Sequence, residues 1–302
     1  MKISVFTPTY NRAYILGNLY SSLLNQHFDD FEWVIIDDGS TDNTELLVRK
    51  WIDENHKFPI YYYKQENRGK CSTINRALDL VHGELFVIVD SDDYLTNDAL
   101  KKIDQWEEKL PKKALYCGVS GNMGITENIT PNMLFKSNFY DGDLFDRYNQ
   151  VDGERIYAFF TSVHRNYRYP VFEDEKFMTE AIVYNRMAND GLKMRFYNDI
   201  ICVFEYQIDG LTRKGNDLFI SNPKGYALWM KEKNAFLTKG WKAKWRLWYA
   251  YYCEMTFCKK EYRLSKKKCA EYIGAPVWAM YVISSVHLFK AKYDIIIKRY
   301  QD

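Results

Sequence analysis

Short apolar runs alternate with helically spaced stripes over the first hundred residues. Ile3-Ser4-Val5-Phe6-Thr7 is a β-type run that stops at Pro8. From Ala13 to Asn25, Ile15, Leu16, Leu19, Leu23 and Leu24 recur at the spacing of one helix face. Trp33-Val34-Ile35-Ile36 is a second buried run, closed by Asp37-Asp38-Gly39-Ser40. Asp42 with Glu45 three residues on predicts a capping box, with Leu46, Leu47 and Trp51 as the apolar stripe behind it. A third strand is expected at Ile60 to Tyr63, followed by the loop Glu66-Asn67-Arg68-Gly69-Lys70 and a helix from about Cys71 to Val81. The fourth strand is Leu85 to Val89, and the next helix Asn97 to Lys109. This alternation predicts an α/β fold whose mostly parallel central sheet is flanked by helices, with ligands at the carboxyl ends of the strands.

From Leu115 to Asn222 the pattern is irregular, with turns expected at Gly121, Gly142, Gly153 and Gly210. One helix is expected near Lys176 to Asn189, and strands at Met194 to Tyr197 and Ile201 to Tyr206. Periodicity from Gly225 onward is helical. Charge divides at the same place. The last 78 residues carry 16 Lys and Arg against 6 Asp and Glu, the first 224 carry 26 against 34, and the whole chain is +2. The domains are therefore expected at 1–224 and 225–302, an acidic α/β body with a basic helical extension. Five of the eight tryptophans lie in that extension, beside clusters such as Trp241-Lys242-Ala243-Lys244-Trp245-Arg246 and Lys266-Lys267-Lys268. Such a mixture suits an anionic membrane surface or a helical cap with its aromatics turned inward. Nothing else in the chain supports nucleic acid as a partner.

Six cysteines show no C-x-x-C pair, as expected of reduced thiols in the cytoplasm. No signal peptide is visible at MKISVFTPTY. The longest uncharged stretch, Tyr272 to Phe289, is broken by Gly274 and Pro276 and is short for a span of ~20 apolar residues. The expectation is a cytoplasmic protein, peripheral on the inner face of the membrane if the extension binds lipid.

Three polar loops should meet at one sheet edge: TPTYNRA (7–13), DDGSTDNT (37–44) and DSDD (90–93). A polar loop entering a helix, as at Tyr10-Asn11-Arg12, offers N–H groups and a guanidinium to an anion. Asp90 and Asp92, two apart on an extended segment, face the same way and suit a hard divalent cation. The stretch VFEDEKFMTEAIVYNRM (171–187) adds Glu173, Asp174, Glu175 and Glu180. Further on, Arg213 and Lys214 follow a turn at Asp209-Gly210, a basic loop able to offset a diphosphate or a plain surface hairpin.

TPTYNRA, FEWVIIDDGSTDNT, ENRGK with Ile74-Asn75-Arg76-Ala77, and VIVDSDD, in this order and spacing, resemble glycosyltransferase family 2. The resemblance covers residues 2 to 105 closely and continues loosely to about Gly215. It implies a GT-A (Rossmann-like) fold and a UDP-sugar donor. Thr7, Pro8, Tyr10, Arg12 and Asp38 would hold the uridine, with Asn67, Arg68 and Lys70 flanking the nucleotide. Asp90 and Ser91 would lie on its ribose side. Asp92 would bind Mn²⁺ or Mg²⁺ on the diphosphate, supported by Asp93. The resemblance also implies inversion at the sugar, and hence a carboxylate general base on the acceptor hydroxyl. In many members the base is the second residue of a Glu-Asp pair six residues before an arginine. Glu180 stands six before Arg186, but Thr179-Glu180 replaces Glu-Asp, so Asp174 and Glu175 remain alternatives. The expected activity is hexosyl or N-acetylhexosaminyl transfer to a glycan or lipid-linked acceptor in surface polysaccharide synthesis. A receiver-type phosphoryl-transfer domain would be about half as long and would have no use for DDGST or NRGK. A non-catalytic domain binding nucleotide or glycan is the other alternative.

Overall fold

The computed structural model of the chain describes residues 1–54, 57–205, 207, 210, 213 and 215–287. Three buried runs and one partly exposed edge run form parallel strands β1 (Ile3–Thr9), β2 (Phe31–Asp37), β3 (Ile60–Lys64, the edge) and β4 (Leu85–Ile88), in the spatial order β3-β2-β1-β4. Five further strands complete one nine-stranded sheet: β5 (Tyr94–Leu95), β6 (Tyr116–Gly124), β7 (Phe139–Asp143), β8 (Arg155–Phe160) and β9 (Lys193–Val203). β8 joins β4 antiparallel and β6 lies beyond it. β9 runs parallel to β6 and takes both β5 and β7 as antiparallel partners.

Pro8 does not end β1. On its β2 side the strand pairs through Thr9 with Asp37, whereas β4 pairs only as far as Phe6. Phe6 turns its carbonyl to Val89 on the β4 side, so two residues on the missing N–H of Pro8 also faces that side, where the ladder has finished.

Helices α1 (Leu16–Leu24), α2 (Thr44–Ile52), α3 (Lys70–Leu80) and α4 (Ala99–Glu108) follow the first four strand ends. Ile3, Val5, Trp33, Ile35 and Val87 pack with Leu16, Leu19, Leu100 and Ile103 in one core, all essentially inaccessible. Each such burial stabilises by roughly 1.5–3 kcal/mol. Trp51 stacks on Tyr20 at 4.2 Å and lies 5.8 Å from Trp33, fastening α2 to the same core. Leu46 departs from the expected stripe: it is 70% exposed, and Val48 takes the inward position. The capping box does not form either. Asp42 accepts from Thr44 and Ala13, while Glu45 pairs with Arg49 and Lys64.

The middle of the chain is more regular than its sequence suggests. Gly121 and Gly142 lie inside β6 and β7, not at turns. β6 carries glycine because its neighbours come close: a Cβ at Gly118 would stand 2.0 Å from the Ala158 carbonyl oxygen, and one at Gly121 2.7 Å from Ile201. The two strands expected at 194–197 and 201–206 are one, β9, ending at Val203; Tyr206 lies outside the described residues. α5 (Thr161–His164) is a single turn, and α6 (Ala181–Asn189) begins five residues later than expected.

The chain divides into two compact units, residues 1–176 with 183–213 and residues 177–182 with 214–302. The second is helical: α7 (Asn216–Ile220), α8 (Pro223–Leu237), α9 (Trp241–Phe257), α10 (Lys266–Ile273) and a helix over 277–287. Tyr251, Met255, Ala227, Cys269, Ala279 and Met280 form its core, and Tyr251 donates to the Pro223 carbonyl at 2.9 Å. Ser265 caps α10 by accepting from Lys268 N–H, and Gly274 ends it in the left-handed conformation. No helix among the described residues is long and apolar enough to cross a membrane.

Candidate active site

The loops that leave β1, β2, β3 and β4 are tied to one another in sequence. Asn11 takes a left-handed φ of 54°, which asparagine tolerates, and so turns its amide toward the second loop. Its N–H donates to Ser40 Oγ at 2.8 Å, and its Oδ1 accepts from Thr41 N–H at 2.8 Å. Ala13 N–H adds a bond to Asp42 Oδ2 at 3.1 Å. These contacts fix TPTYNRA against DDGSTDNT.

Asp37 and Asp38 divide the work at the end of β2. Asp37 accepts from Ser40 N–H at 2.6 Å and from the Tyr62 hydroxyl at 2.5 Å, closing its own turn. Asp38 accepts from Gln65 Nε2 at 2.8 Å, Arg68 N–H at 3.0 Å and Gly69 N–H at 2.7 Å. Its carboxylate holds the third loop in place. Gln65 is a site-building residue that no sequence pattern announced, whereas 68–69 belong to the expected ENRGK segment and contribute through their backbone.

The third loop in turn meets the acidic one. Lys70, at the start of α3, places Nζ 2.7 Å from Asp90 Oδ1 and 2.8 Å from Oδ2. Asp93 N–H closes the DSDD turn on the Asp90 carbonyl at 3.1 Å. Ser91 is buried; Asp92 and Asp93 are half-buried. Burial, and then the Asp90 charge, push the Asp92 carboxyl above its ordinary value, against the pull of Arg12 and Lys70. Burial with Asp90 and Asp92 pushes Asp93 up to about 9. Beyond burial, the acids crowd one another more than Arg12 and Lys70 relieve, which helps raise Asp92 and Asp93. A divalent cation would relieve that crowding and favour their charged forms. Among the described residues no three His, Cys, Asp or Glu side chains could hold a metal together. A cation bound at Asp92 therefore needs further oxygens, and a diphosphate carries them.

The other sequence-predicted residues are distributed as follows. Thr7 is fully buried and accepts from Trp33 Nε1 at 3.0 Å, so its side chain serves the core. Pro8 and Arg12 are half-buried, Tyr10 is exposed, and Asn67 is half-buried in the third loop. Asp174 is exposed and Glu175 buried. Their segment reaches the third loop: with φ at 88°, Gly69 lies so close to Lys176 that a Cβ there would be 1.7 Å from the Lys176 carbonyl oxygen. Glu180 is half-buried just before α6 and falls in the second unit, whereas Asp174 and Glu175 fall in the first. Arg213 is exposed. Asp209 and Lys214, which were to shape and extend its basic loop, lie outside the described residues.

Residues 4–174, more than half of the chain, match the family described as Glycosyl transferase family 2. The chain belongs to that family. Among sequence relatives, the GalNAc(5)-diNAcBac-PP-undecaprenol beta-1,3-glucosyltransferase of Campylobacter jejuni is 32% identical over 104 residues, 34% of each chain. The family 2 chain spans at most 40% of the length of such relatives. Among solved structures, Staphylococcus aureus TarS 1–349 in complex with UDP-GlcNAc aligns over 96% of this chain and 92% of its own, with a TM-score of 0.61 at 17% identity. The mannosyltransferase PcManGT of Pyrobaculum calidifontis, in complex with GDP-Man and Mn²⁺, aligns over 95% and 80%, with a TM-score of 0.56 at 18% identity. These likenesses establish the GT-A fold, with its central sheet, flanking helices and helical C-terminal region.

Proposed function

We propose that this family 2 protein transfers a sugar from a UDP-sugar to a hydroxyl of a glycan or lipid-linked acceptor, with inversion, in bacterial surface polysaccharide synthesis. The observation that carries this is the chain of contacts Asn11–Ser40, Asp38–Gly69 and Lys70–Asp90, which brings four strand-end loops to one edge. The UDP-GlcNAc in the TarS structure and the name of the Campylobacter relative support the donor and acceptor classes.

In this mechanism the first loop and Asp38 hold the nucleoside, Asp38 partly by fixing the third loop. Lys70 and Arg12 supply positive charge beside the acids, where a departing diphosphate gathers negative charge. A divalent cation held by Asp92, with Asp90 beside it, would stabilise that charge when bound. A carboxylate then takes the proton of the attacking hydroxyl. Glu180 is assigned this role, with Glu175 and Asp174 as the alternatives. Arg213 completes the cationic side of the site.

We assign residues 1–224 to transfer and 225–302 to an anionic membrane surface at the cytoplasmic face. On the helix at 277–287, Val277, Trp278, Tyr281, Val282 and Val286 are exposed, while Ala279, Met280 and Ile283 pack inward. Lys266 sits 4.6 Å over the Tyr281 ring, so cation and aromatic are paired on that outer face.

The deciding experiment is UDP release from a panel of UDP-sugars with and without Mn²⁺. Release with one donor supports transfer; UDP binding without release from any donor overturns it in favour of a binding domain. For the base, Glu180→Gln should abolish transfer while UDP still binds. Near-normal turnover in that variant, with loss in Glu175→Gln or Asp174→Asn, would move the role.

A further inference from the structure

β8 sends its side chains alternately to the two faces of the sheet. Ile156 and Ala158 join the core described above, so Arg155, Tyr157 and Phe159 face the other way. Pairing sets Asn122 of β6 opposite Arg155 and Ser120 opposite Tyr157, with Phe196 of β9 beside Ser120. Opposed residues share a face. α6 contributes to the same place: Tyr184 lies 5.1 Å from Tyr157 and 5.4 Å from Phe159.

Arg155 is 6% exposed and has no carboxylate partner among the described residues. Its guanidinium lies 5.1 Å from the Phe135 ring centre and 5.7 Å from that of Phe196, and Nη1 donates to the Tyr197 carbonyl at 3.1 Å. Nε and Nη2 are buried and donate to nothing. Those two nitrogens form the edge of the guanidinium that presents parallel N–H bonds. Arg195, two strands away on β9, shows what that edge does when the chain supplies an acid. Its Nε and Nη2 grip Asp141 Oδ1 and Oδ2, each at 2.7 Å. Two more buried groups lack partners, Ser120 on this face and Asn185 beside Tyr184 on α6. Asn185 is fully buried and accepts from the Tyr148 hydroxyl at 3.1 Å, yet its Nδ2 donates to nothing, and Ser120 Oγ is unpaired. Arg147, 4.7 Å over the Tyr184 ring, brings a second guanidinium.

Unmet buried donors are costly, and a guanidinium cannot lose its charge to escape the cost. The register places Arg155 beside the donor edge. Leu85↔Phe160, Phe86↔Phe159 and Val87↔Ala158, continued by three residues, carry Arg155 to the carboxyl end of β4, where the acidic loop begins. Glu154, its neighbour, acts electrostatically on Asp93.

The geometry points to an oxyanion subsite built from Arg155, Asn185 and Ser120, which takes a phosphate or carboxylate group of the acceptor. Its assignment to the acceptor rests on the sugar-transfer reading. Oxyanion binding as such does not.

The test is thermal unfolding of the full chain with inorganic phosphate or acetate at constant ionic strength, with and without UDP. Wild type should show a saturable rise in melting temperature. A response to phosphate assigns a phosphodiester acceptor, and a response to acetate a uronic-acid one. Arg155→Met keeps the packing between Phe135 and Phe196 and removes the fork. It should lose the rise, keep the stabilisation by UDP, and melt no lower than wild type when free. Should it fail to fold, Asn185→Ala must show a diminished rise. The inference is overturned if neither anion stabilises wild type, if the rise survives in Arg155→Met or is undiminished in Asn185→Ala, or if anion and UDP compete. A rise with phosphate but none with UDP would sink the donor assignment and leave the subsite standing.

Discussion

Asp38 shows how much one side chain can organise. Its carboxylate accepts from Gln65, Arg68 and Gly69, so replacing it releases a loop as well as removing a charge. Asp38→Ala should lower stability by about 1–3 kcal/mol, the cost of buried polar groups left unpaired. Hydrogen exchange at the Arg68 and Gly69 amides should speed up even without nucleotide. A variant in which those amides stay protected would show that the loop is held some other way. Asp92→Asn should act differently, leaving stability little changed and lowering turnover by about 10²–10³-fold, the usual loss of one transition-state charge partner. Residue types at these positions were legible in the sequence because strand-end acids stand out against apolar runs. The backbone partners of Asp38 were not, since hydrogen bonds to backbone N–H groups leave no trace in residue identity, and the Gln65 side chain joins them from outside the motif.

At the scale of elements, β1, β2 and β4 were legible because both their faces are covered, so most positions are apolar. The buried Ser4 and Glu32 bond to each other, while the edge strand β3 showed as an aromatic run. β6, β7 and β8 were harder to read. Gly118 and Gly121 sit in β6 to let neighbouring chains approach, and in sequence that is indistinguishable from a turn. α4 carries a different lesson. Glu107 is nearly inaccessible and pairs with Lys2 at 3.1 Å and with Lys113, joining the chain start to the helix end. Burial pushes its carboxyl up, but the bonds from Lys113 and Lys2 outweigh that and hold it below the ordinary 4.5. A depressed carboxyl stabilises fully above its unfolded value, and the contribution fades as pH falls through the folded one. Wild type should therefore lose stability below about pH 4.5 more steeply than Glu107→Gln. At pH 7 the variant should be less stable by about 1–3 kcal/mol. Urea denaturation at both pH values checks the sign; parallel pH curves would remove Glu107 from the account.

For the whole molecule, charge and apolar exposure coincide in the second unit. The basic excess after residue 225 was readable directly, whereas the outward ridge at 277–287 required knowing which side of that helix packs. Lys266→Glu with Lys267→Glu should weaken binding to anionic vesicles by at least about tenfold, since each basic residue near such a surface contributes about 1 kcal/mol. Neutral vesicles should be indifferent to the change. Equal loss on both, or on neither, would mean that the ridge is covered by something other than lipid.

Residues 177–182 belong to the second unit although they are encoded inside the first. Phe177 packs edge-on against Phe219 at 5.3 Å, and its N–H donates to Asn222 at 3.1 Å. The chain thus crosses between units three times, and no single cut separates them. Grafting the C-terminal helices of a relative onto this body would pair a foreign surface with the native Phe177 and Met178, three and two residues before Glu180. A tail exchange intended only to alter the proposed membrane contact would also disturb the segment carrying the assigned base. Clean exchange requires replacing 177–182 together with the helices.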